Sequence, residues 1–162
     1  MQLSPEPSTA CQNCRRKVAF SKVADNITPQ WRVIGGYAYV DAEVTESTTA
    51  TMPVGSHLAN VPRHSFNLLD TYEFDSGALA GLGLGVGLKY VSERQGQTSN
   101  NTFDMHGYGL VDLLAYYPLT ENVRLNLNLN NVFDKHYEER AWNVWSYPGE
   151  PRTLQAGISL SL

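Results

Sequence analysis

Leu125-Asn126-Leu127-Asn128-Leu129-Asn130 alternates apolar and amide side chains without interruption. Successive side chains of an extended strand point to opposite faces, so this segment places its leucines on one face and its asparagines on the other. A helix, with its period of 3.6 residues, cannot separate the two classes. The end of the chain repeats the pattern, because its apolar residues share one parity: Leu154, Ala156, Ile158, Leu160 and Leu162. Both segments are therefore predicted to be β-strands with one apolar face.

The same alternation, separated by turn residues, extends over most of the chain. It predicts an all-β fold, an antiparallel six-stranded meander, with strands at about residues 31–45, 63–74, 78–93, 107–117, 123–131 and 153–162. The connections between these strands are alternately long and short. In a meander, that alternation places all long loops at one end of the sheet and all tight turns at the other, as in outer-membrane barrels.

Two of the predicted strands carry irregularities within the pattern. Asp70 interrupts the apolar face of the strand at 63–74. In the next strand the apolar residues alternate with Gly81, Gly83, Gly85 and Gly87. Alternate glycines leave room for another group to approach the backbone closely on that face.

The composition narrows the possible classes of protein. The chain has 162 residues, of which 42% are apolar and 17% charged, and a net charge of -4. This charge offers no basic surface for nucleic acid, so no nucleic-acid partner is expected. No apolar run reaches the roughly 20 residues of a spanning helix. The apolar face of an alternating strand can pack on a second sheet in a soluble sandwich, or it can face lipid in a membrane barrel. The predicted strands are long and have aromatic residues near their ends, which favours the barrel.

Residues 1–25 show no convincing period, and we expect them to form a disordered or irregular leader before a barrel region at 26–162. They do not resemble a secretory signal, because Pro5 and Pro7 stand where an apolar core belongs. Cys11 and Cys14 have the spacing of half a zinc site or of a redox pair. No second ligand pair accompanies them, so an enzyme or redox protein built on these thiols is only an alternative interpretation.

Four segments of the chain form recognisable motifs: WRVIGGYAYVDAEV at 31–44, NVPRHSFNL at 60–68, NNVFDKHY at 130–137 and GEPRT at 149–153. Together they resemble the closing strands of TonB-dependent outer-membrane receptors of the ferric-siderophore type. The resemblance covers residues 26–162. It implies a segment of a transmembrane β-barrel of about 22 strands, with lipid outside and a plug domain inside. It also implies uptake of a ferric siderophore across the outer membrane, energised through TonB.

Compared with such a receptor, the chain supplies six predicted strands and no recognisable plug domain, TonB-contacting segment or signal peptide. We expect a carboxyl-terminal, truncated part of a receptor located in the outer membrane. Its expected partners are the ferric siderophore, outer-membrane lipid, the missing strands and plug, and TonB through that plug. Single-chain barrels begin at about eight strands, so the chain alone is not expected to close or to transport. A small soluble or lipocalin-like binding barrel is the alternative.

No catalytic constellation, cofactor site or metal site is expected, because the histidines are scattered near strand ends and loops. If the chain is part of such a receptor, the last long loop is the best candidate for contacts with the ligand. Aromatic faces with a nearby cation suit a bulky, anionic iron chelate. The candidate ligand contacts are Tyr137, Arg140, Trp142, Trp145 and Tyr147. For each of them, packing within the loop or at a membrane border is the alternative role.

Overall fold

The computed structural model describes residues 14–47, 53–97, 103–142 and 145–161. The alternating segments form strands, and a short 3-10 turn at Gly77–Leu79 interrupts one connection. The strands of the described residues are β1 (Cys14–Asn26), β2 (Trp31–Val44), β3 (His64–Glu73), β4 (Gly83–Val91), β5 (Arg94–Gln95), β6 (Asp104–Met105), β7 (Tyr108–Thr120), β8 (Val123–Asn130), β9 (Glu138–Trp142), β10 (Trp145–Pro148) and β11 (Thr153–Leu160).

The main sheet is an antiparallel meander of seven strands in the order β1-β2-β3-β4-β7-β8-β11. Two small sheets, β5-β6 and β9-β10, lie in the connections. The predicted all-β antiparallel fold is confirmed. The main sheet is open, with β1 and β11 as its two ends, so the described residues do not form the closed lipocalin-like barrel considered as an alternative.

The seventh strand lies where an irregular leader was expected. β1 pairs with β2 over its whole length, from Cys14 opposite Val44 to Asn26 opposite Arg32. The described side chains of this strand are exposed, so backbone pairing with β2 holds it in place instead of burial. A strand of this kind leaves only a weak apolar pattern in the sequence. Cys11, one of the two thiols of the alternative interpretation, lies outside the described residues, and only the backbone of Cys14 is described.

The register joins the apolar sides of successive strands into one surface. Leu68 of β3 lies opposite Leu88 of β4, which lies opposite Val111 of β7. Leu129 of β8 lies between Leu113 of β7 and Leu154 of β11. We call the outward side of β3, β4, β7, β8 and β11 the apolar face. It is exposed: the accessible fraction of Leu154 is 70% and that of Leu160 is 72%.

The opposite side of the sheet, the inner face, holds the polar residues and the alternate glycines. A Cβ on Gly83 would lie 2.0 Å from the ring of Tyr116, its cross-strand neighbour. A Cβ on Gly85 would lie 2.8 Å from both Leu114 and Thr71. The groups that approach these glycines are therefore inner-face side chains of the adjacent strands.

The buried residues cluster at one end of the sheet. The long connections, β2–β3, β4–β7 and β8–β11, all lie at that end, and the short ones lie at the other, as predicted. Val91, Tyr108 and Leu110 form a small core there, and Tyr137 packs against it. The long loops thus build a structured end on the sheet. Within the described residues, no helix has the length and apolar character needed to cross a bilayer.

Candidate functional site

The last long connection contains a β-hairpin at residues 138–148, formed by β9 and β10, which we call the aromatic hairpin. The sequence predicted a loop here. Trp142 and Trp145 are cross-strand partners at its tip, on either side of the undescribed residues 143–144. Their side chains have accessible fractions of 75% and 70%. The hairpin therefore presents two tryptophans to the solvent beyond the long-loop end of the sheet.

A cation–aromatic pair lies next to these tryptophans on the same hairpin. Arg140 and Tyr147 are cross-strand partners, and the guanidinium carbon of Arg140 lies 4.8 Å from the centre of the Tyr147 ring. A guanidinium at this distance is attracted to the face of the ring. Four of the five predicted contact residues thus share one small sheet, where a cation and three aromatic rings are exposed together.

Tyr137, the fifth predicted contact, lies beneath this group. Its ring centre is 4.2 Å from that of Tyr108, in the small core at the long-loop end. A Cβ on Gly149 would lie 2.0 Å from the Tyr137 ring, so glycine is needed where the chain leaves the hairpin. Burial raises the pKa of the Tyr137 hydroxyl above its ordinary value. The structure therefore places Tyr137 in the support of the hairpin.

Asn60, in the first long loop, holds the aromatic hairpin by its backbone. Its side-chain Oδ1 accepts a hydrogen bond of 2.7 Å from the Ala141 amide, and its Nδ2 donates one of 2.8 Å to the Ala141 carbonyl. The Asn60 amide donates to the carbonyl of Gln95 in the second long loop at 2.8 Å. Asn60 has a φ of 60°, which asparagine tolerates better than most residues. One residue thus connects all three long loops.

Arg94 supports the same hairpin from the second loop. Its Nη2 donates to the carbonyls of Glu138 and Glu139 at 2.8 and 2.7 Å. Its guanidinium carbon lies 5.4 Å from the centre of the Tyr108 ring, and the side chain is only 6% exposed. Asn60 stands in one of the segments that carried the family resemblance. No pattern in the sequence marks Arg94.

The base of the third loop is organised by Asn131, which is 3% exposed and has a φ of 51°. Its Nδ2 donates to the carbonyls of Lys135 and Glu150 at 2.9 and 3.0 Å. Nearby, Asp134 Oδ1 accepts a hydrogen bond of 2.9 Å from the Arg152 amide. These bonds join the segments 130–137 and 149–153, two of the four in which the family resemblance was found.

A second group of polar residues at this end has donor atoms close enough for a metal ion. Asp41, Glu43 and His57 each have one possible ligand atom, and these three atoms lie within 4.8 Å of one another. An arginine nitrogen can only donate, so Arg63 Nη2, 2.5 Å from His57 Nε2, places the imidazole proton on Nδ1. Neither ring nitrogen then has a free lone pair. As placed, the group is a charge cluster, with Lys17 opposite Asp41 in the register.

Comparison with known proteins identifies this architecture. A family model described as TonB dependent receptor-like, beta-barrel, matches residues 19–132. The match begins inside β1, in the segment expected to be a leader. The Metal-pseudopaline receptor CntO of Pseudomonas aeruginosa (strain UCBPP-PA14) is 48% identical over 136 residues, which are 83% of this chain and 19% of the receptor. The Catecholate siderophore receptor Fiu of Escherichia coli (strain K12) is 33% identical over 139 residues, 82% of this chain and 18% of the receptor.

Solved structures show the same relationship. The crystal structure of the siderophore receptor PiuA from Acinetobacter baumannii matches with a TM-score of 0.80 and 27% identity, covering 91% of this chain and 22% of that one. The chain thus spans about a fifth of the length of these relatives (19%, 18% and 22%). The family consists of receptors and transporters, which are not enzymes. The chain belongs to the TonB-dependent receptor family, and its open sheet is a segment of that family's β-barrel.

Proposed function

We propose that this chain forms the closing, carboxyl-terminal part of the barrel of an outer-membrane receptor that takes up ferric siderophores. The observation that carries the proposal is the exposed apolar face. It extends from β3 to β11 with Asp70 as the one carboxylate among its described residues, and residues at its centre, such as Leu88 and Leu127, stay 38% and 39% exposed. A surface of this extent and composition is suited to acyl chains.

Aromatic side chains at both borders of the strands support a membrane position. Tyr37, Phe66 and Tyr90 form one cross-strand row toward the long loops. Trp31 and Tyr72 are cross-strand partners near the tight turns. Aromatic side chains concentrate at membrane–water interfaces, because their apolar rings and polar groups suit that boundary. The outward face therefore carries aromatic side chains toward both ends of its strands, as a membrane position requires.

The aromatic hairpin supports the choice of ligand. The long loops of outer-membrane barrels face the exterior. Arg140 supplies a positive charge there, and Trp142, Trp145 and Tyr147 supply ring faces. A ferric siderophore is bulky, and the chelated form is commonly anionic, so both features favour its capture. Tyr137 contributes by supporting the hairpin. Two of the relatives are named as siderophore receptors, which agrees with this ligand class.

The other proposed partners follow from the inner face and the sheet edges. An open groove of about 550 Å³ on the inner face includes Lys22, Lys89 and Asp112, polar groups suited to a plug domain. The outer edges of β1 and β11 have no strand paired to them in the described residues. Unpaired edges are ready to pair with further strands. We infer that transport needs the rest of the barrel, a plug and TonB, and that this chain alone does not transport.

The test is to refold the chain in three media: aqueous buffer, detergent micelles and lipid vesicles. The proposal predicts β-rich, dispersed protein in micelles and in vesicles, and association or precipitation in buffer. Far-UV circular dichroism and sedimentation measure both properties. A monodisperse, folded monomer in detergent-free buffer would refute the membrane assignment and favour a soluble binding protein.

A further inference from the structure

Asp70 is out of place on the apolar face. It lies on β3 between Leu68 and Tyr72, and the register places it opposite Val33 on one side and Val86 on the other. Among the described outward residues of β3, β4, β7, β8 and β11, it is the single carboxylate, and neither lysine nor arginine occurs there. A charge facing lipid is unfavourable unless it is paired, so such a residue in a membrane protein marks a candidate site.

Trp31 forms a hydrogen bond with one of the two carboxylate oxygens of Asp70. The indole Nε1–H donates a hydrogen bond to Asp70 Oδ1. Within the described part of the chain, no group bonds to Oδ2. The pair therefore offers one fixed and one open carboxylate oxygen, and hydrogen bonds to a carboxylate are stronger than those between neutral groups.

An apolar groove adjoins the open carboxylate. Its volume is about 520 Å³, and it crosses the apolar face from Asp70 on β3 to Leu154 on β11. Between these ends it is lined mainly by aliphatic side chains of β4, β7 and β8, among them Leu84, Val86 and Leu127. With a carboxylate at one end and aliphatic side chains along its length, the groove is complementary to a molecule with a cationic head and a hydrocarbon tail.

The depth of Asp70 suits a lipid headgroup. Asp70 lies three residues before Glu73, the last residue of β3 at the tight-turn end. At about 3.4 Å per residue, this is about 10 Å along the strand, and less along the membrane normal because barrel strands tilt. Asp70 thus lies just inside the aromatic border formed by Trp31 and Tyr72, within reach of the interface.

We propose that Asp70 and Trp31 form a headgroup site for an aminophospholipid in the leaflet at the tight-turn end. The primary ammonium of the lipid donates to Asp70 Oδ2, and its acyl chains lie in the apolar groove. Charge decides the occupant: an anionic phosphatidylglycerol is repelled by the carboxylate, and a phosphatidylcholine headgroup has no N–H to donate. The site rests on the proposed membrane position of the barrel.

The experiment reconstitutes the chain in nanodiscs containing equal parts of phosphatidylethanolamine, phosphatidylcholine and phosphatidylglycerol. Native mass spectrometry then measures which lipids stay bound after release from the disc. We expect phosphatidylethanolamine to be retained about fivefold over the other two, the size of effect that a partly exposed ion pair supports. Equal retention of the three lipids would overturn the proposal.

Two substitutions identify the carboxylate as the cause. Asp70→Asn keeps an oxygen acceptor for the Trp31 indole and removes the charge, so it abolishes the preference if an ammonium binds there. Asp25→Asn is the matched control: Asp25 lies in the same register row, opposite Val33, but on β1, away from the groove. Retained preference in Asp70→Asn would show that Asp70 only positions Trp31, and would overturn the lipid site.

The same samples separate this proposal from the one on which it rests. Failure of the chain to enter the bilayer at all, seen as protein that sediments apart from the discs, rejects the membrane assignment and the site with it. Insertion with β-rich circular dichroism but no lipid preference rejects the headgroup site alone.

Discussion

Asn60 and Ala141, 81 positions apart in the chain, are joined by two hydrogen bonds in which the Asn60 amide donates to the Ala141 carbonyl and accepts from the Ala141 amide. Ala141 is 3% exposed and precedes Trp142 at the tip of the aromatic hairpin. The first long loop therefore determines where the exposed tryptophans of the third stand. A ligand surface on a hairpin becomes specific only if the hairpin is held in one place.

Replacing Asn60 should release the hairpin. In Asn60→Gly the positive φ is retained and both side-chain bonds are lost, so strain does not contribute. We expect a local loss of about 1–3 kcal/mol, because two buried backbone groups of Ala141 lose their partners. Hydrogen exchange of the Ala141 amide measures it as faster exchange. Asn128→Gly, also an asparagine but on the inner face of β8, is the control. Unchanged protection of Ala141 in Asn60→Gly would contradict this role.

The fluorescence of Trp142 and Trp145 should decrease when a ligand binds to the aromatic hairpin. The chain has three tryptophans, and Trp31 lies at the opposite end of the sheet from Trp142 and Trp145. A ferric tris-catecholate complex added to the chain in micelles is expected to quench mainly the emission of the two hairpin residues. Replacing both by phenylalanine should remove most of the quenching, whereas Trp31→Phe should leave it intact. Quenching that is lost in Trp31→Phe and retained in the double variant would show that the ligand binds away from the hairpin.

Arg140 should contribute through its charge and its position over Tyr147. Arg140→Ala is expected to weaken binding of the same anionic complex about two- to fivefold, since an exposed pair of opposite charges contributes up to about 1 kcal/mol. Arg140→Lys keeps the charge and should recover part of the loss. Titrations at increasing ionic strength measure the charge effect.

The control for Arg140 is Arg124→Ala. The Arg124 guanidinium lies 4.9 Å from the centre of the Tyr116 ring, a similar geometry, but on the inner face near the tight turns. Equal weakening by Arg124→Ala and Arg140→Ala would show that the effect is not specific to the hairpin.

A side chain added at Gly83 should destabilise the sheet. In Gly83→Ala the new Cβ would lie 2.0 Å from the Tyr116 ring, which must move. Overpacking of this kind costs about 1–3 kcal/mol. Gly157→Ala, at a glycine with no atom within 4 Å of the added Cβ, serves as the control. Urea unfolding of both variants in vesicles gives the comparison, and a Gly83 variant as stable as Gly157→Ala would show that the ring moves freely.

The alternation of apolar and polar residues was sufficient to predict most of the main sheet, and the spacing of turn residues predicted which ends carry the long loops. β1 was not predicted, because its exposed side chains leave little apolar pattern and its order comes from pairing with β2. The aromatic hairpin was predicted as a loop, because its position depends on Asn60 and Arg94 from distant segments.

The sequence by itself determined most strands of the main sheet and their two faces, because side-chain alternation is a property of one extended backbone and needs no partner. Four segments of the sequence also carried the family resemblance. Only the tertiary structure decided which residues meet. Trp31 reaches Asp70, and Asn60 reaches Ala141, because the register of adjacent strands and the packing of three loops bring them together. Register is a relation between strands, so a single strand cannot encode it alone.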